Sequence, residues 1–325
     1  MAKIRIGLVG SGSIAAFHFN GFVKNEDAQV LGMCTRQGGN LEKLERMCRE
    51  WNIRAYSSFD ELVEDPQIDA LEIGSVNTEH FSQIMKAIAL GKPVLAEKPV
   101  VTDFGLLDQI IQASQQKGVL VFPAHNFVYR RAVQQAKQLI DSGQLGRVTY
   151  ASFISTHTLP AEHIRGWRGQ LNLSSGGALM DSGHHQVYLS LYLMGMPQKM
   201  QAFRARRVLT EMQGEDIAQI NVFYPDQAIG AIMQSWTSGY GDGLNGIQVI
   251  GPKGGLQVTD ALYFNGQQLN EDASYAGSFV NQARAFTDAI LHGRPPLSTL
   301  EDTRRTLKII YGAYESSEQD KVIVF

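Results

Sequence analysis

Short apolar runs alternate with amphipathic segments over the first third of the chain. The runs are short and rich in apolar residues throughout, as is typical of parallel strands that other elements cover on both faces. They span residues 4–9, 28–34, 70–73, 93–96 and 119–122. We therefore predict five strands of one parallel sheet.

Helical spacing of apolar residues fills the segments between these strands. One apolar face runs along residues 41–51, and another runs along residues 81–88 and ends at Gly91. Ser58 followed by Glu61 is a capping-box signature that opens a further helix. Strand–helix alternation with short connections predicts a doubly wound α/β domain over residues 1–123.

The pattern changes after about residue 123, and the length of 325 residues also favours two domains. We predict an α+β second domain over residues 124–325 with a large, mostly antiparallel sheet. Its predicted helices cover residues 132–140, 177–194, 278–292 and 300–317. Its predicted strands cover residues 148–155, 200–208, 217–224, 228–236, 246–250 and 256–259.

Composition narrows the class of protein. A formal charge of −3 argues against nucleic-acid binding, which usually requires a basic excess. Cys34 and Cys48 belong to no metal-ligand pattern, and two free thiols suit a reducing compartment. No signal-peptide core or membrane-length apolar run is present in the sequence, so we expect a cytoplasmic protein without a membrane partner.

The first predicted strand leads into a glycine-rich turn, Gly10-Ser11-Gly12-Ser13-Ile14-Ala15. This is the G-x-G-x-x-A form of the Rossmann fingerprint, and a strand before it and a helix after it distinguish it from an ordinary tight turn. Gly10 allows the turn, Gly12 lets the backbone approach a pyrophosphate, and Ala15 lets the helix pack closely. The helix N-terminus favours phosphate. We predict a site for a nicotinamide dinucleotide.

Residues at the end of the second strand bear on the choice between NAD and NADP. A carboxylate there would bind the ribose hydroxyls of NAD, but Thr35 and Arg36 occupy this position. A hydroxyl and a guanidinium suit the 2′-phosphate of NADP. We predict that NADP is preferred and NAD is possible. The alternative is that Arg36 is a solvated loop charge and selectivity is relaxed.

Two further segments carry candidate reactive groups. Glu97-Lys98-Pro99 follows a strand at its carboxyl end, where ligands bind in open α/β sheets, so Lys98 could reach a reacting oxygen. Asp181 and His185 are four residues apart, so a helix would place a carboxylate beside an imidazole that acts as acid and base. The alternative is a structural hydrogen bond or helix cap. His184 lies about 100° round that helix from His185, a poor chelate, and we predict no metal.

These segments together resemble the glucose-fructose oxidoreductase/inositol dehydrogenase/rhizopine-catabolism family of oxidoreductases. The resemblance covers essentially the whole chain. It includes the glycine turn, Asn77 and His80 after a strand, Glu97-Lys98-Pro99, Asn126, residues 139–146, Trp167-Arg168 and Asp181-x-Gly183-x-His185. The sequence departs from the family pattern at Val76, where proline is common, at Tyr188, where aspartate is common, and at Ser175, often a glycine.

The resemblance implies an enzyme that transfers a hydride between the cofactor and a carbinol or carbonyl carbon of a sugar, inositol or related polyol. It implies that Lys98, Asp181 and His185 form the catalytic set. Two other functions are known on this fold: a non-catalytic NADP-sensing regulator and an NAD-dependent glycoside hydrolase. Together with the motifs, the resemblance implies a set of cofactor-binding residues. They are Gly10, Ser11, Gly12, Ser13, Ile14, Thr35, Arg36, Ser75, Asn77, His80, Glu97, Lys98, Asn126, Trp167 and Arg168.

Expectations about substrate and assembly are less specific. Polar and aromatic residues of the second half are expected to shape the substrate pocket, although each has a bland alternative as a fold-supporting or solvated side chain. A broad sheet also suggests a homo-oligomer, a dimer or tetramer formed by sheet faces, by analogy with the family. The substrate candidates are Tyr129, His157, Arg165, His184 and Trp236.

Overall fold

The fold contains two sheets, one in each of two units. The computed structural model describes residues 3–36, 38–238, 244–270 and 274–325. Contacts divide the chain into a first unit, Met1–Tyr129 with Tyr275–Glu301, and a second unit, Arg130–Ser274 with Asp302–Phe325. The sequence analysis placed residues 275–301 in the second domain, whereas the structure packs them with the first unit.

The sheet of the first unit is parallel, and its six described strands lie in the order β3-β2-β1-β4-β5-β6. Its central strands are almost fully buried, which explains their apolar sequences. The strands are β1 Ile4–Val9, β2 Ala28–Cys34, β3 Arg54–Ala55, β4 Ala70–Ile73, β5 Val94–Ala96 and β6 Val121–Pro123. The five predicted strands are present, and the two-residue β3 was not predicted.

Helices follow these strands, and their ends match the local sequence. Asn40 caps α2 by accepting the Lys43 N–H, and Ser58 caps α3 by accepting the Glu61 N–H. The Glu61 carboxylate returns to Ser57 N–H, one residue earlier than the standard capping box. The helices are α1 Ala15–Val23, α2 Leu41–Trp51, α3 Phe59–Glu64, α4 Asn77–Ala89 and α5 Phe104–Lys117, with a 3-10 helix at Asn126–Tyr129.

The second unit contains a sheet whose nine described strands lie in the order β14-β13-β12-β11-β7-β10-β9-β8-β15. All neighbouring pairs run antiparallel except β7 with β10. The large, mostly antiparallel sheet is therefore confirmed. The strands are β7 Tyr150–Thr156, β8 Lys199–Ala205, β9 Ile217–Phe223, β10 Ile229–Ser235, β11 Gly246–Gly251, β12 Gly254–Val258, β13 Leu262–Phe264, β14 Gln267–Asn270 and β15 Ile323–Val324.

The remaining helices follow the chain through the second half. Helices α6 and α9 pack on this sheet. The helices are α6 Arg131–Asp141, α7 Ala161–Ile164, α8 Leu171–Ser174, α9 Gly183–Met194, α10 Tyr275–His292 and α11 Leu300–Gln319, with a 3-10 helix at Trp167–Gly169. None of the helices in the described part of the chain is long and apolar enough to span a membrane.

Helix α10 joins the first unit through close packing on α1. A Cβ at Gly21 would lie 2.8 Å from the carbonyl oxygen of Phe279, so glycine permits this approach. The Asn25 amide donates to the carbonyl of Ala283 and to the hydroxyl of Thr287, both on α10. Because these contacts are fully buried, α10 is part of the first core.

The predicted helix over residues 177–194 is wrong in its first turn and a half. Helix α9 begins at Gly183, and the residues before it form turns. The argument that one helix holds Asp181 and His185 on the same face therefore fails, because Asp181 precedes the helix. The segment packs on Glu215 through the N–H groups of Ala178 and Leu179, and the Gly183 N–H bonds five residues back to the Ala178 carbonyl, so the regular helical pattern starts only at Gly183.

Candidate functional site

The glycine turn has the geometry that a bound phosphate requires. Gly10 has φ +114°, and a Cβ there would lie 2.5 Å from the Gly74 carbonyl oxygen, so two loops meet at this point. A Cβ at Gly12 would meet no atom within 4 Å, and Ala15 behind it is buried. The backbone at Gly12 is thus open to a ligand while Gly10 and Ala15 pack tightly, as a dinucleotide site needs.

Thr35 and Arg36 follow β2, next to the glycine turn. The hydroxyls of Thr35 and Ser11 are 3.1 Å apart and form a hydrogen bond. Thr35 is buried and Arg36 is exposed. An exposed guanidinium that follows this strand is placed to meet a charged group of a ligand.

His80 contacts the backbone of two loops, the one before α4 and the one after β5. Its side chain is fully buried on α4, with Nδ1 3.0 Å from the carbonyl oxygen of Pro99 and Nε2 3.1 Å from that of Ser75. Burial lowers the pKa of His80, so the ring is neutral and one of its nitrogens donates. The Ser75 hydroxyl also donates to Gln83. Because a neutral ring has one N–H and carbonyl oxygens only accept, His80 donates to one of these carbonyls and lies against the other, so it contacts the backbone of both the Lys98 segment and the preceding loop.

Glu97 and Lys98 are held from α1. His18 Nε2 lies 2.8 Å from Glu97 Oε1, and the other oxygen, Oε2, accepts the backbone N–H of Lys98 at 3.0 Å. His18 and Glu97 are mostly buried, whereas Lys98 keeps a partly exposed side chain. The Glu97 carboxylate thus fixes the backbone from which the candidate catalytic lysine extends.

The two predicted asparagines occupy different settings in the first unit. Asn77 is the first residue of α4 and is partly exposed. Asn126 is buried, and its amide donates to the Ser278 hydroxyl on α10 at 2.9 Å. Asn77 stands at a helix N-terminus after a strand, as a cofactor ligand would, whereas the bond made by Asn126 joins two segments of the same core.

In the second unit, Asp181 pairs with Arg168. The Arg168 Nε donates to Asp181 Oδ2 at 2.7 Å, and the guanidinium lies over the Trp167 ring, 4.5 Å from its centroid. The side chains of Arg168 and Asp181 are 31% and 15% exposed, respectively, so this ion pair is partly shielded from water. The structure thus brings together three residues that the sequence suggested separately.

The turn that carries Asp181 is fixed by Glu215 and Tyr314. Glu215 Oε1 accepts the Leu179 N–H at 2.9 Å and the Tyr314 hydroxyl at 3.2 Å, and its carbonyl accepts the Ala178 N–H. A Cβ at Gly177 would lie 2.1 Å from the Glu215 carbonyl oxygen. The Gly183 N–H then bonds to the Ala178 carbonyl, five residues back instead of the four of an α-helix, so residues 177–182 form turns.

His185 lies in the first turn of α9 and is partly exposed, while its neighbour His184 is fully buried. His185 Nδ1 lies 2.7 Å from the hydroxyl of Tyr188 one turn later. This hydrogen bond fixes the orientation of the imidazole. The tyrosine that departs from the family pattern therefore supports the candidate acid–base residue.

Among the substrate candidates, Tyr129, Trp236 and His184 are interior side chains. Tyr129 is 2% exposed, and its hydroxyl accepts the Leu297 N–H. Trp236 is 1% exposed, and its indole N–H donates to the Ser182 hydroxyl. Because these polar groups bond within the protein, we remove both from the substrate set. Arg165 is exposed and His157 is partly exposed.

Three supporting residues were missed by the sequence analysis, namely His18, Glu72 and Glu215. Glu72 had a visible signal, since it is a carboxylate in the middle of an apolar strand. His18 and Glu215 have none, because their partners are distant in the sequence. Among the described residues, no group of three or more His, Cys, Asp or Glu side chains is arranged to hold a metal ion.

A six-stranded parallel sheet with an open glycine turn after its first strand defines a dinucleotide-binding protein of the Rossmann class. Residues 4–125 match the oxidoreductase family with an NAD-binding Rossmann fold, and residues 133–257 match the GFO/IDH/MocA C-terminal domain. The chain belongs to this glucose-fructose oxidoreductase/inositol dehydrogenase/rhizopine-catabolism family. The predicted family, fold class and NAD-binding oxidoreductase class are confirmed.

The chain resembles several other proteins along nearly its whole length. It is 24% identical to the myo-inositol 2-dehydrogenase of Thermotoga maritima, with 98% of each chain covered. An oxidoreductase from Agrobacterium radiobacter in complex with NAD+, L-tartaric acid and magnesium superposes with a TM-score of 0.88 at 18% identity, covering 99% and 98% of the two chains. The aldose-aldose oxidoreductase of Caulobacter crescentus gives 0.88 at 21% identity, covering 99% and 100%. These structural likenesses establish the fold.

The open space at Gly12 generates a prediction. Gly12→Val should abolish dinucleotide binding, because the new side chain fills the space that a pyrophosphate needs, while thermal stability stays unchanged. Gly10→Ala is the contrasting variant, since its Cβ would strike the Gly74 carbonyl and should lower the melting temperature. Calorimetric titration and thermal melting separate the two effects. Undiminished affinity in Gly12→Val would refute this placement of the site.

Proposed function

We propose that this protein transfers a hydride between NADP(H) or NAD(H) and a carbinol or carbonyl carbon of a sugar, an inositol or a related polyol. The observation that carries the proposal is the glycine turn that is open at Gly12, beside a Glu97-Lys98 segment fixed by buried bonds. Similarity to an inositol dehydrogenase and an aldose-aldose oxidoreductase supports the substrate class.

Three side chains have roles in the proposed reaction. When bound, the nicotinamide supplies the hydride acceptor or donor. His185, oriented by Tyr188 at Nδ1, exchanges the proton of the substrate hydroxyl through Nε2. Lys98 stabilises negative charge as it develops on the same oxygen. Asp181, which Arg168 holds through a hydrogen bond, is the third member of the proposed catalytic set and supports the imidazole.

The remaining predicted cofactor residues fall into two groups under this proposal. Ser11, Ser13 and Ile14 offer the backbone of the glycine turn, and Asn77 lies at the N-terminus of a helix. Ser75 and His80 act through the backbone they hold, and Trp167-Arg168 act through the stacked pair that meets Asp181. His157 and Arg165 remain proposed substrate residues, whereas His184 is fully buried and is removed from that set.

We also propose that copies of the chain associate through the open face of the second sheet. Helix α9 packs against β7 and β10, and the alternating burial of the strands leaves the other face uncovered by described elements. Large apolar side chains are exposed on that face, including Phe203, Ile229 and Ile250. The mass of the protein in solution tests this proposal.

Cofactor selectivity is predicted to depend on Arg36. The proposed preference is for NADP(H), since the residues after β2 offer a hydroxyl and a guanidinium and no carboxylate. Arg36→Ala should weaken NADP+ binding by ~1–3 kcal/mol, the scale for a lost charge-assisted hydrogen bond, and NAD+ binding much less. Titration with both dinucleotides measures the difference. Equal losses would show that Arg36 does not read the 2′-phosphate, which would fit relaxed selectivity.

Catalysis is predicted to depend on His185 and Lys98. His185→Ala should lower kcat by ~10²–10⁴-fold, the usual range for losing a positioned acid–base group, and Lys98→Met should nearly eliminate turnover. The pH profile of His185→Ala should lose a limb, because an unperturbed imidazole titrates near about pH 6.5. Asp181→Asn should do less damage if Asp181 only supports the imidazole.

The controls are cofactor affinity and substrate range. Dinucleotide binding should survive in His185→Ala, since that residue lies outside the first unit. Turnover is assayed with a panel of sugars and inositols and both cofactors. Full activity in a folded, cofactor-loaded His185→Ala protein would remove His185 from the mechanism and leave Lys98 as the acid–base group.

A further inference from the structure

A buried cluster of titratable side chains lies behind the glycine turn. It consists of His18 on α1, Glu72 on β4 and Glu97 after β5, which we call the His–Glu cluster. His18 is 2% exposed, Glu72 is fully buried and Glu97 is 12% exposed. His18 Nε2 lies 2.8 Å from Glu97 Oε1 and 3.5 Å from Glu72 Oε1. One imidazole nitrogen therefore lies within 3.5 Å of both carboxylates.

Glu72 is the uncompensated member of the His–Glu cluster. Neither of its oxygens has a hydrogen-bond partner among the described residues. His18 can neutralise only one of the two carboxylates, so ionising both would leave a net negative charge in the core, which is costly. Burial, reinforced by the charge of Glu97 and opposed by that of His18, raises the pKa of Glu72 to about 7. Glu72 thus changes charge near neutral pH.

Burial keeps two neighbouring titratable groups in one state over that range. Burial raises the pKa of the Cys34 thiol, at the end of β2, to about 12. Burial lowers the pKa of His80, the imidazole nearest Glu97 on α4, so that ring stays neutral. Glu79, in the first turn of α4, acts on Cys34 and is partly exposed. The charge change near neutral pH therefore falls on the cluster.

Glu72 also lies directly behind the proposed phosphate site. A Cβ at Gly74 would lie 2.8 Å from Glu72 Oε1 and 3.3 Å from Ile14 Cγ2, and Ile14 is the N-cap residue of α1. The carbonyl of Gly74 is the atom that Gly10 approaches. The carboxyl group is therefore separated from the glycine turn by little more than one layer of backbone.

This placement couples two negative charges. The diphosphate of a nicotinamide dinucleotide would be anionic in front of the turn, and the Glu72 carboxylate is anionic behind it. Charges separated by buried protein are weakly screened, so the bound diphosphate favours the protonated form of Glu72. We propose that the His–Glu cluster takes up a proton when the dinucleotide binds and that Glu72 is the group that receives it. This inference rests on the proposed cofactor site.

Calorimetric titration of the whole protein with NAD+ tests the proposal. NAD+ is the better probe because the 2′-phosphate of NADP+ has its own ionisation near about pH 6. Titrations in two buffers with different ionisation enthalpies give the number of protons taken up. We expect roughly half a proton per NAD+ at pH 7, more at about pH 8 and almost none at about pH 5.5, with affinity that weakens as pH rises.

Substitutions identify the group that receives the proton. Glu72→Gln keeps the shape and removes the ionisation, so proton uptake should vanish and affinity should become independent of pH over this range. Glu72→Leu, an apolar residue in an apolar strand, gives a second test should the amide disturb folding. Glu64→Gln, an exposed glutamate on α3 of the same unit, is the matched control and should leave uptake unchanged.

The outcomes separate this inference from the proposed function. NAD+ binding without proton exchange in the wild-type protein would overturn the inference and leave the cofactor site intact. Uptake that persists in both Glu72 variants would place the proton on another group and overturn the assignment. Failure of both NAD+ and NADP+ to bind at all would contradict the proposed function itself.

Discussion

Buried hydrogen bonds to loop backbone are the interaction on which the candidate site depends. The loops after β4 and β5 carry the groups of interest, but loop backbone has no ladder of its own to bond with. His80 donates to one of the carbonyls of Pro99 and Ser75 and lies against the other, and Glu97 accepts the N–H of Lys98. The side chains exposed for chemistry are thereby attached to backbone that interior residues hold in place.

The second unit uses the same solution for a different loop. Glu215 accepts the N–H of Leu179 through its side chain and that of Ala178 through its carbonyl, and Tyr314 bonds to the same carboxylate. Close backbone approaches, which only glycine permits, complete both sites, at Gly10 in one unit and at Gly177 in the other. Interior polar bonds and glycine contacts together make the reactive loops rigid without regular secondary structure.

Sequence patterns predicted the parts of the fold that depend on local periodicity. The strands of the first sheet, the glycine turn and helix α2 were found because burial on both faces or on one face leaves a direct record in the residues. The order of the strands and the site of α10 depend on packing between distant segments. The local sequence of residues 275–292 does not indicate that this helix packs against Gly21 and Asn25.

The site was predictable in its residues and less so in its geometry. Residues 177–182 include Ala178, Leu179 and Met180, which suit a helix, but the N–H groups of Ala178 and Leu179 bond to the distant Glu215. The tyrosine at position 188 looked like a departure from pattern, and its bond to His185 appears only when one turn of helix is built. In residues 177–182, tertiary contacts override the local helical propensity. At Tyr188, the contact with His185 explains a residue that the sequence alone does not explain.

Transfer of label from the cofactor tests the central claim most directly. The protein is incubated with NADPH or NADH that carries deuterium at both positions on C4 of the nicotinamide, together with a panel of keto-sugars and keto-inositols, and the products are analysed by mass spectrometry. The account predicts that at least one product carries the deuterium on its new carbinol carbon. A protein that binds the cofactor while the deuterium never reaches any product, as a sensor or a redox-neutral hydrolase would, contradicts it.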